Sequence, residues 1–399
     1  MRRLHLINKH LCGEREVCIV AAGRSPIDKV GGSLSHYSTV ELASSTLKGT
    51  LEKFRIPTEE IEEIYFGTVF PSNLGQSPAK QIAVNAGLRD SVNCMILNKL
   101  CASGMKATML GALSISTGNA DCVVVGGAES MSKIPYIVPK IREGLVRGNH
   151  KALDATVCDG ILDPRFKVIP AFCSDLISQK LNFSKSDLDY FSQESIKRAN
   201  KAWNSGKFSN EIIPISDKKG KLINKDTIKD INLLKADLKP IYQGGVTTAA
   251  NACPINDGTS FLVLCSRQKA NALGLKILGT ISSFADFEHH KLSFPTSPTL
   301  AIWKALERAN LSLSKIDYIE INEAFASVVL ANSVALPFDL EKINVYGGGV
   351  AIGHPVGSSG ARILVTLLNV LMQEGGVYGA AGICNDGGGA GAVIIKREI

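Results

Sequence analysis

The strongest constraint on the fold is that the chain repeats itself. Residues 16–22 (EVCIVAA) and 277–284 (ILGTISSF) are β-branched runs that read as strands, and each precedes a helix-like stretch, 40–54 and 299–309. Each helix leads into a segment of related pattern, IEEIYFG at 61–67 and KIDYIEIN at 315–322. Next comes a small-residue turn opening a helix, CASGMKATMLGALSISTG from Cys101 and GSSGARILVTLLNVLMQEG from Gly357; each helix is followed by a short strand ending in glycines, DCVVVGGAES and AAGICNDGGG. The offsets agree: Ile64 to Gly104 is 40 residues and Ile319 to Gly360 is 41, while the upstream steps, Cys18 to Ile64 and Ile277 to Ile319, are 46 and 42. Two copies of one β-α-β-α-β unit define an α/β protein whose strand ends meet around a pseudo-twofold axis.

An insertion distinguishes the copies. After GGAES the chain runs from Met131 to Ala249 before the first copy's final strand, 258–266. The predicted organisation is an N-terminal half (14–130 plus 250–270), an inserted domain (131–249) and a C-terminal half (271–399). The insertion has helix-like pieces (185–203) and turn-rich pieces (216–221), as expected of a lid over a site at strand ends.

Charge singles out the same segment. The formal net charge is +7, yet 131–240 holds 20 Lys/Arg against 13 Asp/Glu while the rest of the 399 residues carry 24 of each. No run of more than two basic residues occurs there and aromatic interleaving is lacking, which argues against nucleic acid as a partner. With 45% hydrophobic residues the chain can bury a large core, and no apolar stretch reaches the roughly 18–20 residues of a membrane span, so no membrane partner is expected. Ten cysteines without a Cys-x-x-Cys pair make a disulfide framework or a structural zinc site improbable, and no metal is predicted. The first 13 residues contain Arg2, Arg3 and Lys9 and no acid before Glu14, which suits a short organellar presequence or a plain N-terminus equally; the expected compartment is mitochondrial or cytoplasmic.

Four side chains suggest chemistry. Cys101 lies where an apolar strand gives way to a helix, where unpaired N–H groups and the helix dipole should lower a thiol pKa. His354, between Gly353 and Pro355, occupies the corresponding loop of the second copy, so the repeat brings imidazole and thiol together as base and nucleophile. Cys384, at the glycine end of the last unit's strand, is a second thiol facing the same place. Asn322 opens NEAFA with an amide that could orient water or an acyl oxygen; Phe325 reads as a pocket wall, and Glu323 as orienting a neighbour or capping a helix. The glycine strings are not a dinucleotide fingerprint, because 8 residues remain after Gly391 and the other string runs into His-Pro.

NKLCASGMKA, GGAESMS, NEAFA, GGGVAIGHPVGSSGAR and ICNDGGG, in this order and spacing, together resemble the thiolase family over almost the whole chain, and GQSPAKQIA at 75–83 resembles the segment before the family's nucleophile strand. The resemblance implies a duplicated, five-layered α/β/α/β/α fold with an inserted loop domain that binds coenzyme A, in a homodimer or homotetramer. It implies reversible Claisen condensation of two acetyl-CoA into acetoacetyl-CoA and CoA. By similarity Cys101 is the acyl-accepting nucleophile, His354 activates it and with a water on Asn322 binds the thioester oxygen, and Cys384 is the acid/base at the α-carbon. A second oxyanion site would use the backbone N–H groups of Cys101 and Asp386. Acetyl-CoA and CoA are then substrate and product, and no resident cofactor is expected. Two alternatives stay open: a degradative 3-ketoacyl-CoA thiolase for longer chains, and a non-catalytic acyl-CoA or lipid carrier.

Several positions depart from the family pattern. Asp386 replaces a glycine, which predicts backbone strain if φ is positive there and repulsion of a nearby carbanion. A His-Met-Gly stretch is replaced by 168–171 (VIPA), putting Ile169 in the acyl pocket, and Cys253 stands where a pantetheine-contacting serine is common. Phe294-Pro295 resembles a pair found in mitochondrial acetoacetyl-CoA thiolases that accept a 2-methyl branch. Those enzymes bind potassium partly through a tyrosine, and Ile228 stands at that position, which leaves potassium in doubt.

Overall fold

The computed structural model describes residues 15–144 and 147–399, so the basic segment 1–13 lies outside the described residues. Its strands are apolar on both faces, and that decides the layering. Along β4 (Cys122–Ser130), Val123 and Val125 join one core cluster while Cys122 and Val124 join another. β5 (Asn256–Ser266) does the same, with Leu262 and Leu264 on one side and Phe261, Val263 and Cys265 on the other. Side chains alternate along a strand, so such a sheet must be covered twice.

In the N-terminal half the strand order is β3 (Asn93–Leu97), β2 (Glu63–Gly67), β4, β5, β1 (Val17–Arg24), with β5 running against its neighbours. The C-terminal half repeats this as β7 (Tyr318–Ile321), β8 (Tyr378–Asn385), β9 (Gly389–Arg397), β6 (Gly279–Glu288), with β9 antiparallel. Edge strands β1 and β6 pair through Cys18 with Thr280 and Ile19 with Gly279, so hydrogen bonding continues from one half into the other. Where the first half has β3, the second has a single parallel bridge, Ile319 with Ile343.

Between the two halves lie α3 (Ser103–Ser116) and α8 (Val356–Glu374), whose Met105, Met109, Ile363, Leu364 and Leu367 share one core with the inner faces of both sheets. The repeat markers Gly104 and Gly360 are where these helices touch: a Cβ on Gly360 would sit 2.4 Å from the Met105 nitrogen, and one on Gly104 2.9 Å from the Gly357 oxygen. Outside, α1 (Thr39–Phe54) and α2 (Pro78–Asn85) cover the first half, and α6 (Ser297–Ala309) and α7 (Ala326–Ala335) cover the second. The result is the five-layered α/β/α/β/α arrangement.

The segment between β4 and β5 holds α4 (Pro170–Lys180) and α5 (Lys185–Asn204), the latter started by a Ser184/Asp187 capping box. A small hairpin pairs Ile215 with Ile223 around the turn-rich stretch. Arg24, fully buried at the end of β1, ties this segment down: its guanidinium donates to both Asp226 oxygens at 2.8 Å and to Glu211 at 2.5 Å. Among the described residues no helix is long and apolar enough to cross a membrane, and nine free cysteines form no disulfide.

Candidate active site

A cavity of about 240 Å³ opens at the strand ends, between the two halves and the inserted segment. Cys101, Cys253, His354, Cys384 and Asp386 all line it, with Phe294, Phe325 and Ile169 among its apolar walls. Pro170 and Ala171 also reach it, so three of the four residues of the 168–171 stretch form part of its wall. No Lys or Arg of the described residues lines it.

Cys101 is set by a tight turn after β3. Leu100 takes φ +49°, a left-handed conformation costly for a leucine, and the turn is closed by Ser103 Oγ, which accepts from Lys99 N at 2.8 Å and donates to Leu100 O at 2.6 Å. Cys101 thereby stands two residues ahead of α3's first residue and faces the cavity. Burial pushes its thiol well above the usual range, with Cys384 and Cys253 adding to the rise. This direction runs against the lowering expected from the helix end alone. Helix-end stabilisation decays outside the first turn, and desolvation of a thiolate among apolar walls outweighs it.

His354 supplies the missing base. Ser359 Oγ donates to Pro355 O at 2.9 Å and must therefore accept, at 2.6 Å, from His354 Nδ1–H. This assigns the tautomer and leaves Nε2 with a free lone pair; Nε2 is buried and makes no hydrogen bond within the protein. Burial lowers the imidazole pKa to about 4, and the cationic Arg362 adds to the shift, so the ring is neutral at pH 7. Its backbone is held by Asn256 Oδ1, which accepts from His354 N at 3.2 Å.

Cys384, at the end of β8, is fully buried and its thiol is pushed up to about 12 by desolvation; the half-buried Cys253 is shifted in the same direction for the same reason. Asn322 does not line the cavity. It is fully buried, two and three residues before Ala324 and Phe325, which do, and both its amide atoms lack a partner within the protein and are free to hold a water. Glu323 accepts from Asn344 Nδ2, Ser195 Oγ and Val350 N at 2.9, 2.7 and 3.0 Å, so it caps the turn leading to His354.

Asp386 departs from both expectations placed on it. The left-handed backbone falls on Gly387 (φ +103°) and Gly388 (φ +119°), and Asp386 is not among the positive-φ residues. Its carboxylate is also not a bare charge: it forms an ion pair with the ammonium of Lys291, a fully buried side chain 5.3 Å from the centre of the Phe294 ring. Lys291 was missed in the sequence; the available signal was a lysine amid the apolar Leu292, Phe294 and Pro295, complementary to an aspartate in a glycine string. Glu129 of GGAES was missed as well. It accepts from Val69 N, Phe70 N, Thr68 Oγ1 and Gly357 N, clamping a cavity wall to the start of α8, and burial raises its pKa to about 7 against those four bonds.

Among the described residues no group of three or more His, Cys, Asp or Glu could hold a metal ion. The duplicated five-layered fold thus closes over three thiols and a neutral imidazole. The thiolase N-terminal domain family matches residues 17–268 and the C-terminal domain family 275–397; the chain belongs to the thiolase family. It is 44% identical over 392 residues to acetyl-CoA acetyltransferase IB of Candida tropicalis, covering 96% of this chain and 97% of that protein. It is 43% identical over 391 residues to an acetyl-CoA acetyltransferase of Schizosaccharomyces pombe, covering 96% and 99%. A crystal structure of an Ascaris suum thiolase in complex with coenzyme A superposes with TM-score 0.90 at 34% identity, covering 96% of this chain and all of that one. Human mitochondrial 3-ketoacyl-CoA thiolase superposes with TM-score 0.92 at 29% identity, covering 96% and 99%.

Removing one member of the buried pair should be worse than removing both. Lys291→Met is expected to lower kcat/KM for thiolysis by roughly tenfold or more, since a single unpaired charge here costs at least about 1.4 kcal/mol. Adding Asp386→Gly to it should recover most of the loss. Steady-state rates of wild type, both single variants and the double variant check this; a double variant as poor as Lys291→Met would refute the pairing.

Proposed function

We propose that the chain is an acetyl-CoA C-acetyltransferase, joining two acetyl-CoA into acetoacetyl-CoA and CoA and catalysing the reverse thiolysis. The observation that carries this is Cys101, His354 and Cys384 around one apolar cavity, in a chain 44% identical to a protein of that name. Cys101 Sγ attacks the thioester carbon while its proton passes to His354 Nε2. The departing CoA thiolate takes the proton of Cys384, leaving acetyl-Cys101, an imidazolium and a Cys384 thiolate. That thiolate removes the α-proton of the second acetyl-CoA, and the resulting enolate attacks acetyl-Cys101. The Cys101 thiolate released is reprotonated by His354, which returns every group to its starting state. Negative charge develops on a thioester oxygen in each half, so two sets of donors are required: His354 with water on Asn322, and the N–H groups of Cys101 and Asp386.

The cavity volume, about 240 Å³, lies below the roughly 300–1,000 Å³ of sites that enclose larger ligands, which favours a short acyl chain. The longer-chain reading is supported by the superposition on 3-ketoacyl-CoA thiolase and by Ile169, Pro170 and Ala171 in the cavity wall. The excess basic charge of 131–240 suits the CoA phosphates. We also infer that a second copy covers β3, an edge strand whose Met95 and Ile96 are 51% and 38% exposed, just ahead of the Cys101 turn.

Incubation with acetyl-CoA should add one acetyl group to the Cys101 peptide, read by mass spectrometry, and acetoacetyl-CoA should be cleaved at least about tenfold faster than a long-chain ketoacyl-CoA. Label on another cysteine would sink the assignment, the opposite rate order would favour the longer-chain reading, and CoA binding without turnover would favour a carrier. Light scattering should give a dimer or larger, dissociating on Met95→Lys/Ile96→Lys; a monomeric wild type contradicts the edge-strand contact.

A further inference from the structure

Lys229 lies in the inserted segment, one residue after Ile228, where the resemblance leads one to look for a potassium ligand. Ile228 has no oxygen to offer. Instead the Lys229 ammonium donates to three backbone carbonyls, Ala249 O at 2.9 Å, Ala250 O at 3.0 Å and Ala252 O at 2.5 Å. An ammonium has three protons, and all three are used. Three carbonyls converging on a single positive charge are the donor set of an alkali-metal ion. A potassium ion does not fit there, because its place is taken by a cation that belongs to the chain.

The caged loop is part of the active site. Ala252, Cys253 and Ile255 line the cavity. Ala252 bridges to Phe325, Cys253 N donates to Ala324 O at 3.0 Å, and Ile255 bridges to His354. On its other side Lys229 donates its own N–H to Ala351 O at 2.8 Å, in the helical turn Gly349–Ile352 that precedes His354. One residue thus knits the inserted segment, the Cys253 loop and the approach to the catalytic imidazole. Without a cation the three carbonyl dipoles would point at one another.

We propose that Lys229 is a tethered monovalent cation, a positioning residue that replaces a potassium ion and holds the 249–253 loop against Phe325 and His354. Burial lowers its pKa to about 8, with Cys253 and Glu323 opposing the drop, so it remains charged at neutral pH. The enzyme accordingly needs no added alkali-metal ion.

Chemical rescue tests this. Wild type, Lys229→Gly and Lys229→Met are compared in choline, potassium and ammonium chlorides at equal ionic strength, by acetoacetyl-CoA thiolysis and by thermal unfolding. Wild type should be indifferent to the salt. Lys229→Gly should lose roughly tenfold or more of kcat/KM in choline and regain most of it, together with its Tm, in potassium or ammonium. Lys229→Met, whose side chain still fills the cage, should lose activity without recovery. Potassium activation of wild type, full activity of Lys229→Gly in choline, or a Lys229→Gly that no small cation restores or folds would each overturn the proposal. The Tm arm reads the cage even if the thiolysis reading of the site fails.

Discussion

Charge is expensive in this active site, and the rest of the arrangement follows from that cost. Cys101, Cys253 and Cys384 are thiols pushed upward by burial, and His354 is an imidazole pushed downward by it. Four groups that might carry charge in water are neutral at rest. A nucleophile can then form only as the substrate arrives, with the proton moving a short distance to His354 Nε2 and the new charges stabilised by donors already in place. The turn at Leu100, the Ser359 bond that selects the tautomer and the Glu323 cap all serve to hold those groups where the transfer can occur.

Three of the charges that remain are met by something fixed. Asp386 is met by Lys291 and Lys229 by three carbonyls, while Arg24, away from the cavity, is met by Asp226 and Glu211. Unpaired, any of these would cost several kcal/mol, of the order of the whole stability of a domain, about 5–15 kcal/mol. Lys291 and Lys229 are therefore not docking cations for a phosphate. They neutralise and organise the walls of a cavity whose lining contains no lysine or arginine among the described residues.

Much of this was legible in the amino-acid order. Strand and helix order in both halves follows from periodicity, and Gly104 and Gly360 mark the repeat because the central helices touch there. Cys101, His354 and Cys384 were legible because each sits at a loop that the repeat places at the same end of the molecule. The short strand β3 was less legible, since an exposed edge has no reason to alternate cleanly. The environment of Cys101 was less legible, because position relative to a helix can be read from sequence, whereas desolvation depends on walls contributed by residues as distant as Ile169 and Phe325. Lys291 and Lys229 were invisible for the same reason: their partners lie 95 and about 20 residues away, and a charge count treats a caged ammonium and a solvated one alike.

The central claim is that Cys101 rests as a neutral thiol in a desolvated cavity and becomes a nucleophile only in concert with His354. The most direct measurement is the rate of Cys101 alkylation by a small uncharged reagent as a function of pH, in the absence of acyl-CoA. A thiol raised by burial predicts a slow reaction at neutral pH whose rate keeps climbing through the alkaline range. A rate that levels off near pH 7 would show a preformed thiolate and contradict the account.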